Sequence, residues 1–570
     1  MDVLALPPQL LHLVLELVDA AGERRSRFVA RHFESPRRMQ DCLLQLKLVC
    51  RAWHHAVDKL ETERRARVHN LILRVAPPSE PDERWLERLV YGPVAAKSDT
   101  LRELRVSVGG RGLAGGLFAL QQELTYLQVV EKLEVDWHRI FASCRKLEWL
   151  DLSGVPINSP CILSGILDAA SRHCTMLQAL VLPGSGMGVI DRQVDLASVM
   201  PDLYQALARW STHGSKQGLT QLTVPKRHNF TDSDASLQQH SDEYLDTVAR
   251  YCPNIEHLDG WKASYSDETE LRCSEVWFCS LGTWRKFCET CTKIREFNWF
   301  VAPFDRDYLA AFAASPKPNL TKMTLTCGND EYFSDVLLSG EYYRAGGFSF
   351  STESLTHVLS ACPALRDLRI VFSKLLYRTQ WLQERIDDSF LCALGVYCPE
   401  LERLVIDEIE SVNHYQAIRG ISDVGLAALA RLPQLRSITL KQSRCTAEGI
   451  LDLILNDPHP RDKRCVSVRV GSVGGPHCVQ FYEVLLAILA LLLARPAEEP
   501  LGYRFRLELV AHGTKHLALD DVVHARLKNS TKALSTHHSS VAVYFCGQTK
   551  RSKRIPTHLD RVRSVVVISM

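Results

Sequence analysis

The chain has 570 residues, 46% hydrophobic and 24% charged, with 68 Lys and Arg against 66 Asp and Glu for a formal net charge of +2. That length exceeds one ordinary domain, and the hydrophobic content excludes a disordered chain. Near-neutrality removes any global electrostatic reason to expect nucleic acid or a membrane surface as partner.

In chain order, the first elements are two short helices. Met1 to Leu10 has no basic n-region with a small-residue cleavage site, so no secretory signal is expected. The 18 cysteines are then expected to be thiols, in the cytoplasm or nucleus, and not a disulfide framework. Pro7 suits the first turn of a helix, where its missing N–H costs nothing. Leu10, Leu11, Val14, Leu15 and Val18 follow on one helical face, and Leu43, Leu46, Val49, Cys50 and Trp53 make a second. Between them, residues 20–40 form a basic insertion with Arg24, Arg25, Arg27, Arg31, Arg37 and Arg38. Periodicity alone leaves two readings open: the helices keep apolar surface for a partner, or they cap the domain behind them.

The order Leu6-Pro7, apolar stripe, Leu43-Leu44 and Val49-Cys50-Arg51-x-Trp53 resembles an F-box. The resemblance implies docking on a Skp-type linker protein, and through it a cullin, by Leu6, Pro7, Leu10, Leu11, Val14, Leu15, Leu43, Leu46, Val49 and Trp53. The family joins its stripes by a few residues, so the insertion departs from the pattern. Lengthening a surface loop costs only about 0.6 kcal/mol per doubling. Residues 1–60 are thus read as an F-box-like module, and 61–100 as a linker and N-terminal cap. HNLILRVA from His69 is a first strand there, and Pro77, Pro78 and Pro81 mark a loop after it.

Beyond this a phrase recurs: Cys, two residues, Leu or Ile, two residues, Leu or Phe, one residue, then usually a hydrophobe. It opens at Cys144 (CRKLEWLDL), Cys174, Cys252, Cys291, Cys362 and Cys398, with related phrases at Leu101, Leu219, Leu320 and Leu435. Leu150 and Leu152, two apart, share one strand face while Asp151 takes the other. Helical stripes precede many phrases, as at 354–362, 387–398 and 423–432. Each strand and helix pair is too small to bury itself, and stacking pairs makes one core.

This pattern resembles the cysteine-containing leucine-rich repeat, most clearly in ITLKQSRCTAEGILDLI from Ile438 to Ile454. The resemblance implies an α/β fold: N-terminal F-box helices followed by a leucine-rich-repeat solenoid, a curved parallel sheet with outer helices. The array is placed at 101–460, with insertions at 329–350, 372–385 and 410–420. Residues 461–570 are read as degenerate repeats and a C-terminal cap.

Together the two resemblances imply a non-catalytic substrate-recognition subunit of a Skp-cullin-F-box ubiquitin ligase. A repeat scaffold, or an F-box protein acting outside a ligase, is the alternative. Candidate target-binding residues are the outward strand positions Trp149, Asp151, Asp259, Trp261, Asn298, Phe300, Arg369, Asp407 and Lys441, since exposed aromatics beside charge suit an interface. For Trp261 and Phe300, packing under inserted loops is equally open.

Catalytic patterns are weak. Cys288 and Cys291 form a CxxC near Cys273 and Cys279, but Cys291 already belongs to a phrase and no second pair follows at finger spacing. His173 adjoins Cys174, itself a phrase cysteine. No HExxH, G-x-S-x-G or G-x-x-x-x-G-K-[ST] occurs, and Gly109, Gly110, Gly112, Gly115 and Gly116 lack a phosphate-binding lysine. KRSKR at 550–554 reads as a nuclear import signal or a solvated basic turn. The apolar run from Val484 to Ala494 is too short to span a bilayer and is expected to be a buried helix. No metal, cofactor, nucleic acid or membrane is expected as partner.

Overall fold

The computed structural model describes residues 11, 14–15, 51–73, 86–108, 135–155, 160–183, 196–215, 217–224, 234–259, 279–299, 306–327, 352–372, 386–408, 421–440, 445–455, 465–471, 479–494, 504–510, 521–537, 542–546 and 565–569. The basic insertion, the glycine cluster at 109–116, KRSKR, and the inserted stretches 329–350, 373–385 and 410–420 lie outside the described residues. Two compact units divide the chain, Met1–Cys291 and Thr292–Met570.

In the first unit, α1 (Arg51–Arg67) runs directly into β1 (Val68–Leu73). Strands β2 (Glu103–Val108), β3 (Trp149–Gly154), β4 (Ala179–Val181), β5 (Gln221–Thr223) and β6 (His257–Asp259) follow, each paired in parallel with the one before. Helices α2 (Trp137–Ala142), α3 (Pro160–His173), α4 (Met200–His213), α5 (Asp234–Tyr251) and α6 (Leu281–Thr290) alternate with the later strands.

The second unit repeats the scheme. Its strands β7 (Glu296–Trp299), β8 (Lys322–Cys327), β9 (Asp367–Phe372), β10 (Arg403–Glu408), β11 (Ser437–Leu440), β12 (Cys465–Gly471) and β13 (Arg504–Val510) are again parallel neighbours. Its helices are α7 (Arg306–Ala313), α8 (Thr352–Ser360), α9 (Asp388–Tyr397), α10 (Asp423–Ala430), α11 (Ala447–Leu455), α12 (Val479–Ala494) and α13 (Asp521–His537). The end departs from the repeat: β15 (Val565–Ser569) adds antiparallel to β13, and β14 (Ala542–Cys546) adds antiparallel to β15. Each unit is therefore an α/β stack of leucine-rich-repeat type.

Strand parity explains the layers. Leu104, Leu150, Leu152, Leu180, Leu222 and Leu258 are wholly buried in the first unit, as are Leu368, Ile370, Leu404, Ile406, Ile438 and Leu440 in the second. Helix residues such as Phe141, Leu207, Trp210, Phe287, Leu394 and Leu426 are buried too. Each such side chain contributes about 1.5 to 3 kcal/mol against exposure.

The phrase cysteine closes the turn from helix to strand. The Leu147 amide donates to Cys144 O at 2.9 Å, and Leu177, Ile255, Leu365 and Leu401 repeat the bond to Cys174, Cys252, Cys362 and Cys398. The thiols are buried and reach the preceding repeat: Cys174 Sγ donates to Cys144 O at 3.3 Å, and Cys398 Sγ to Cys362 O at 3.9 Å. Burial pushes the Cys144, Cys252, Cys362 and Cys398 thiols up to about 12. At Lys317 the phrase KPNL puts a cation where the cysteine stands. Its fully buried Nζ donates to Phe312 O at 2.8 Å and Ser315 O at 2.7 Å, and sits 4.1 Å from the Phe312 ring centroid. These bonds satisfy carbonyls at the end of α7.

The helix starts are linked from repeat to repeat. Asp388 Oδ1 accepts from the Ser422 and Gly425 amides at 2.8 and 3.0 Å, and Oδ2 accepts from Ser422 Oγ at 2.5 Å. Asp423 does the same for the next repeat, accepting from the Thr446 amide at 2.8 Å and Thr446 Oγ1 at 2.6 Å. A Cβ on Gly425 would lie 2.5 Å from Asp388 Oδ1, so this close approach requires glycine.

One expectation needs correcting. The apolar run ending at Ala494 is not a wholly buried helix: Leu485, Ile488, Leu489 and Leu492 of α12 are inside, but Leu491 is 41% exposed. Among the described residues no helix is long and apolar enough to cross a membrane.

Candidate functional site

The front module has a core of its own. Leu11 and Leu15, one helical turn apart, pack with Trp53, Val57 and Leu60 of α1, with Ala56 at the margin. Trp53 is 8% exposed, Leu11 3% and Leu15 0%, while Val14 is 40% exposed. Leu11, Leu15 and Trp53, expected to offer surface to a linker protein, pack against one another and against Val57 and Leu60 in this structure. Val14 is the outward one among the described docking candidates. Leu6, Pro7, Leu10, Leu43, Leu46 and Val49 lie outside the described residues.

The second candidate surface is the face of each sheet turned away from the leucines. In the first unit, register aligns Glu103, Trp149, Ala179, Gln221 and His257 in one row, and places Arg105 beside Asp151 in a second. Trp149, Ala179 and Val181 form a small apolar cluster. Around it stand Asp151, Gln221, Thr223 and His257, all 5% exposed or less. Asp151 Oδ1 accepts from the Ser153 amide at 3.0 Å, and Arg105 pairs with Glu103 at 2.7 Å. Both ends of the Gln221 carboxamide and the Thr223 hydroxyl are buried without a hydrogen-bond partner among the described residues. Asp259 holds the register position beside Thr223.

In the second unit one row reads Glu296, Lys322, Asp367, Arg403, Ser437, Ser467 and Arg506, with the sign of charge alternating over the first four. The next row reads Asn298, Thr324, Arg369, Val405, Thr439, Arg469 and Glu508, and Asp407 lies two residues beyond Val405. Arg369 Nε and Arg403 Nη1 each lie 3.9 Å from an Asp367 carboxylate oxygen.

Trp149, Asp151 and Arg369 thus sit on the expected face, but at 5%, 4% and 6% exposure they are not the exposed residues the sequence suggested. Trp261, Phe300 and Lys441 lie outside the described residues. Sequence reasoning missed Gln221, Thr223, His257 and Glu296. They occupy the same phrase positions as Trp149 and Asp151, so aligning every phrase at that position would have found them.

Cys279, Cys288 and Cys291 are buried and form no disulfide among the described residues, and burial raises the Cys174 and Cys279 thiols well above the ordinary range. His173, at the end of α3, faces His138 of α2 with Nε2 to Nδ1 at 3.2 Å, and His138 Nε2 lies 3.4 Å from Asp168 Oδ2. Burial lowers the His173 pKa, and His138, Arg145 and Arg172 add to the effect. Asp168 also holds Arg209 at 2.6 Å and Arg172 at 3.0 Å. This is a link between α2, α3 and α4.

No family model matches the sequence, and no curated protein matches it. Among solved structures the chain is similar to the Rad7 and Elc1 complex of yeast, at 12% identity over 82% of this chain and 88% of that one, with a TM-score of 0.38. It is also similar to the leucine-rich repeat-containing protein LegL7 from Legionella pneumophila, at 14% identity over 60% and 91%, TM-score 0.27. A Bacteroides fragilis protein aligns at 11% identity over 71% and 81%, TM-score 0.21. The repeat assignment rests on the strand register and the phrase, which need none of these.

Proposed function

We propose that the chain is the target-recognition subunit of a Skp-cullin-F-box ubiquitin ligase. The front module engages a Skp-type linker, and the sheet faces hold a target protein. The chain makes and breaks no bond itself. It works by proximity, raising the effective concentration of a target lysine near the activated ubiquitin. One observation carries the reading: a helical module with a separate core, bearing the F-box order of residues, stands immediately before the first strand of a repeat stack.

The burial of Leu11, Leu15 and Trp53 favours a second reading, in which the front helices cap a repeat scaffold that acts outside any ligase. Val14→Asp separates the two, because Val14 is exposed and its replacement leaves the module core intact. Full-length chain purified from cells is expected to bring down a Skp-type protein and a cullin, and V14D to lose both. Equal recovery by V14D, or no cullin with either chain, would leave the scaffold reading standing.

A further inference from the structure

The second unit ends on β14. This strand pairs with β15 on one side, and among the described residues no strand pairs with the other. A strand edge offers a row of main-chain donors and acceptors, and proteins guard such edges with proline, charge or a covering element. Ala542–Cys546 reads AVYFC and contains neither proline nor charge. The first strand, β1, is made differently: Lys97 Nζ donates to Val68 O at 3.2 Å, and His69 and Asn70 stand within the strand.

The described residues of this last stretch are basic, with Arg504, Arg506, Arg526, Lys528 and Lys532 against Glu508 and Asp521, and the sequence around them leans the same way. Residues 504–570 hold twelve Lys and Arg against four Asp and Glu, a net +8 in a chain whose total is +2, so the remainder carries −6. Helix α13 packs on α12 and touches β14. It turns Leu527 and Leu534 inward, while Arg526, Lys528 and Lys532 are exposed, and none of the three has an acid partner among the described residues. Lys528 and Lys532 are one turn apart and so share a helix face.

We propose that β14 takes up an extended acidic segment of a partner protein as an additional strand, with Lys528 and Lys532 of α13 drawing in its carboxylates. Main-chain pairing supplies affinity in such strand addition, and charge selects the partner. The same charge disfavours a second copy, because edge-to-edge pairing would bring two sets of Arg526, Lys528 and Lys532 together. A nucleic acid would answer the charge but leave the strand edge unused.

The test uses the full chain and a fluorescein-labelled peptide, Glu-Val-Glu-Val-Glu-Val-Glu, read by fluorescence anisotropy. Saturable binding is expected, weakened about tenfold or more in Lys528→Glu/Lys532→Glu, since each like charge opposes the peptide's carboxylates. Binding should disappear when alternate residues of the peptide are N-methylated, a change that leaves the protein untouched. The proposal falls if the methylated peptide binds as well as the parent. It also falls if a DNA duplex displaces the peptide and binds more tightly, or if the free chain sediments as a dimer that excludes it.

Discussion

Asp423 serves two helices with one carboxylate. It opens α10 and at the same time holds the amide and hydroxyl of Thr446, the residue that starts α11. Asp388 does the same between α9 and α10. Charge-assisted bonds to helix-start amides are among the stronger local interactions, and losing such a cap costs about 1 to 2 kcal/mol. Asp388→Ala and Asp423→Ala should each lower stability by that amount, read as a reduced urea midpoint. Gly425→Ala should cost more than an exposed helix glycine replacement, because the new Cβ meets Asp388 Oδ1 and Leu391 Cδ1. The thiols give a second residue-level prediction. With Cys144, Cys252, Cys362 and Cys398 held at about 12, the thiolate is scarce at pH 8. Iodoacetamide should modify the exposed Cys161 and Cys392 first, and the buried phrase cysteines only after denaturation, as peptide mass mapping would show.

Among the elements, the front module shows a pattern that the sequence carries and a direction that it does not. Spacing shows that Leu11 and Leu15 share a face, but not whether a partner or α1 lies against that face. The answer is α1, and Leu15→Ala or Trp53→Ala should therefore destabilise the module by about 2 to 5 kcal/mol. Loss of linker binding in those variants would report unfolding, whereas V14D reports docking. In the strands, parity was legible because a two-residue period sets which leucines face inward. The burial of Trp149, Gln221 and Arg369 was not, since it depends on chain remote in sequence that no local pattern encodes. Lys317 was hidden for another reason: the phrase was recognised by its cysteine, and the residue there is a lysine that donates to carbonyls of its own repeat, Phe312 O and Ser315 O.

For the whole molecule, stability should fall in mild acid. His173 and His69 both have folded pKa values below 6.5, each chiefly through burial. Well above that value neither is appreciably protonated in either state, so they contribute little pH dependence there. As pH falls below 6.5 the unfolded chain binds protons that the folded chain refuses, and stability declines until the folded pKa is passed. His173→Gln should flatten thermal-melting midpoints between pH 6.5 and 5 without changing those at pH 8.

The distance from Cys144 to Trp149, the first residue of β3, is the same as from Cys174 to Ala179, Cys252 to His257, Lys317 to Lys322, Cys362 to Asp367 and Cys398 to Arg403. Every long insertion instead follows a strand: 329–350 after β8, 373–385 after β9 and 410–420 after β10. A single residue added on the fixed side would rotate the following strand by half its period and expel its leucines. In these repeats the variation is carried on the rim that follows each strand, and a library of grafted loops there would diversify that rim while every layer beneath stayed in register.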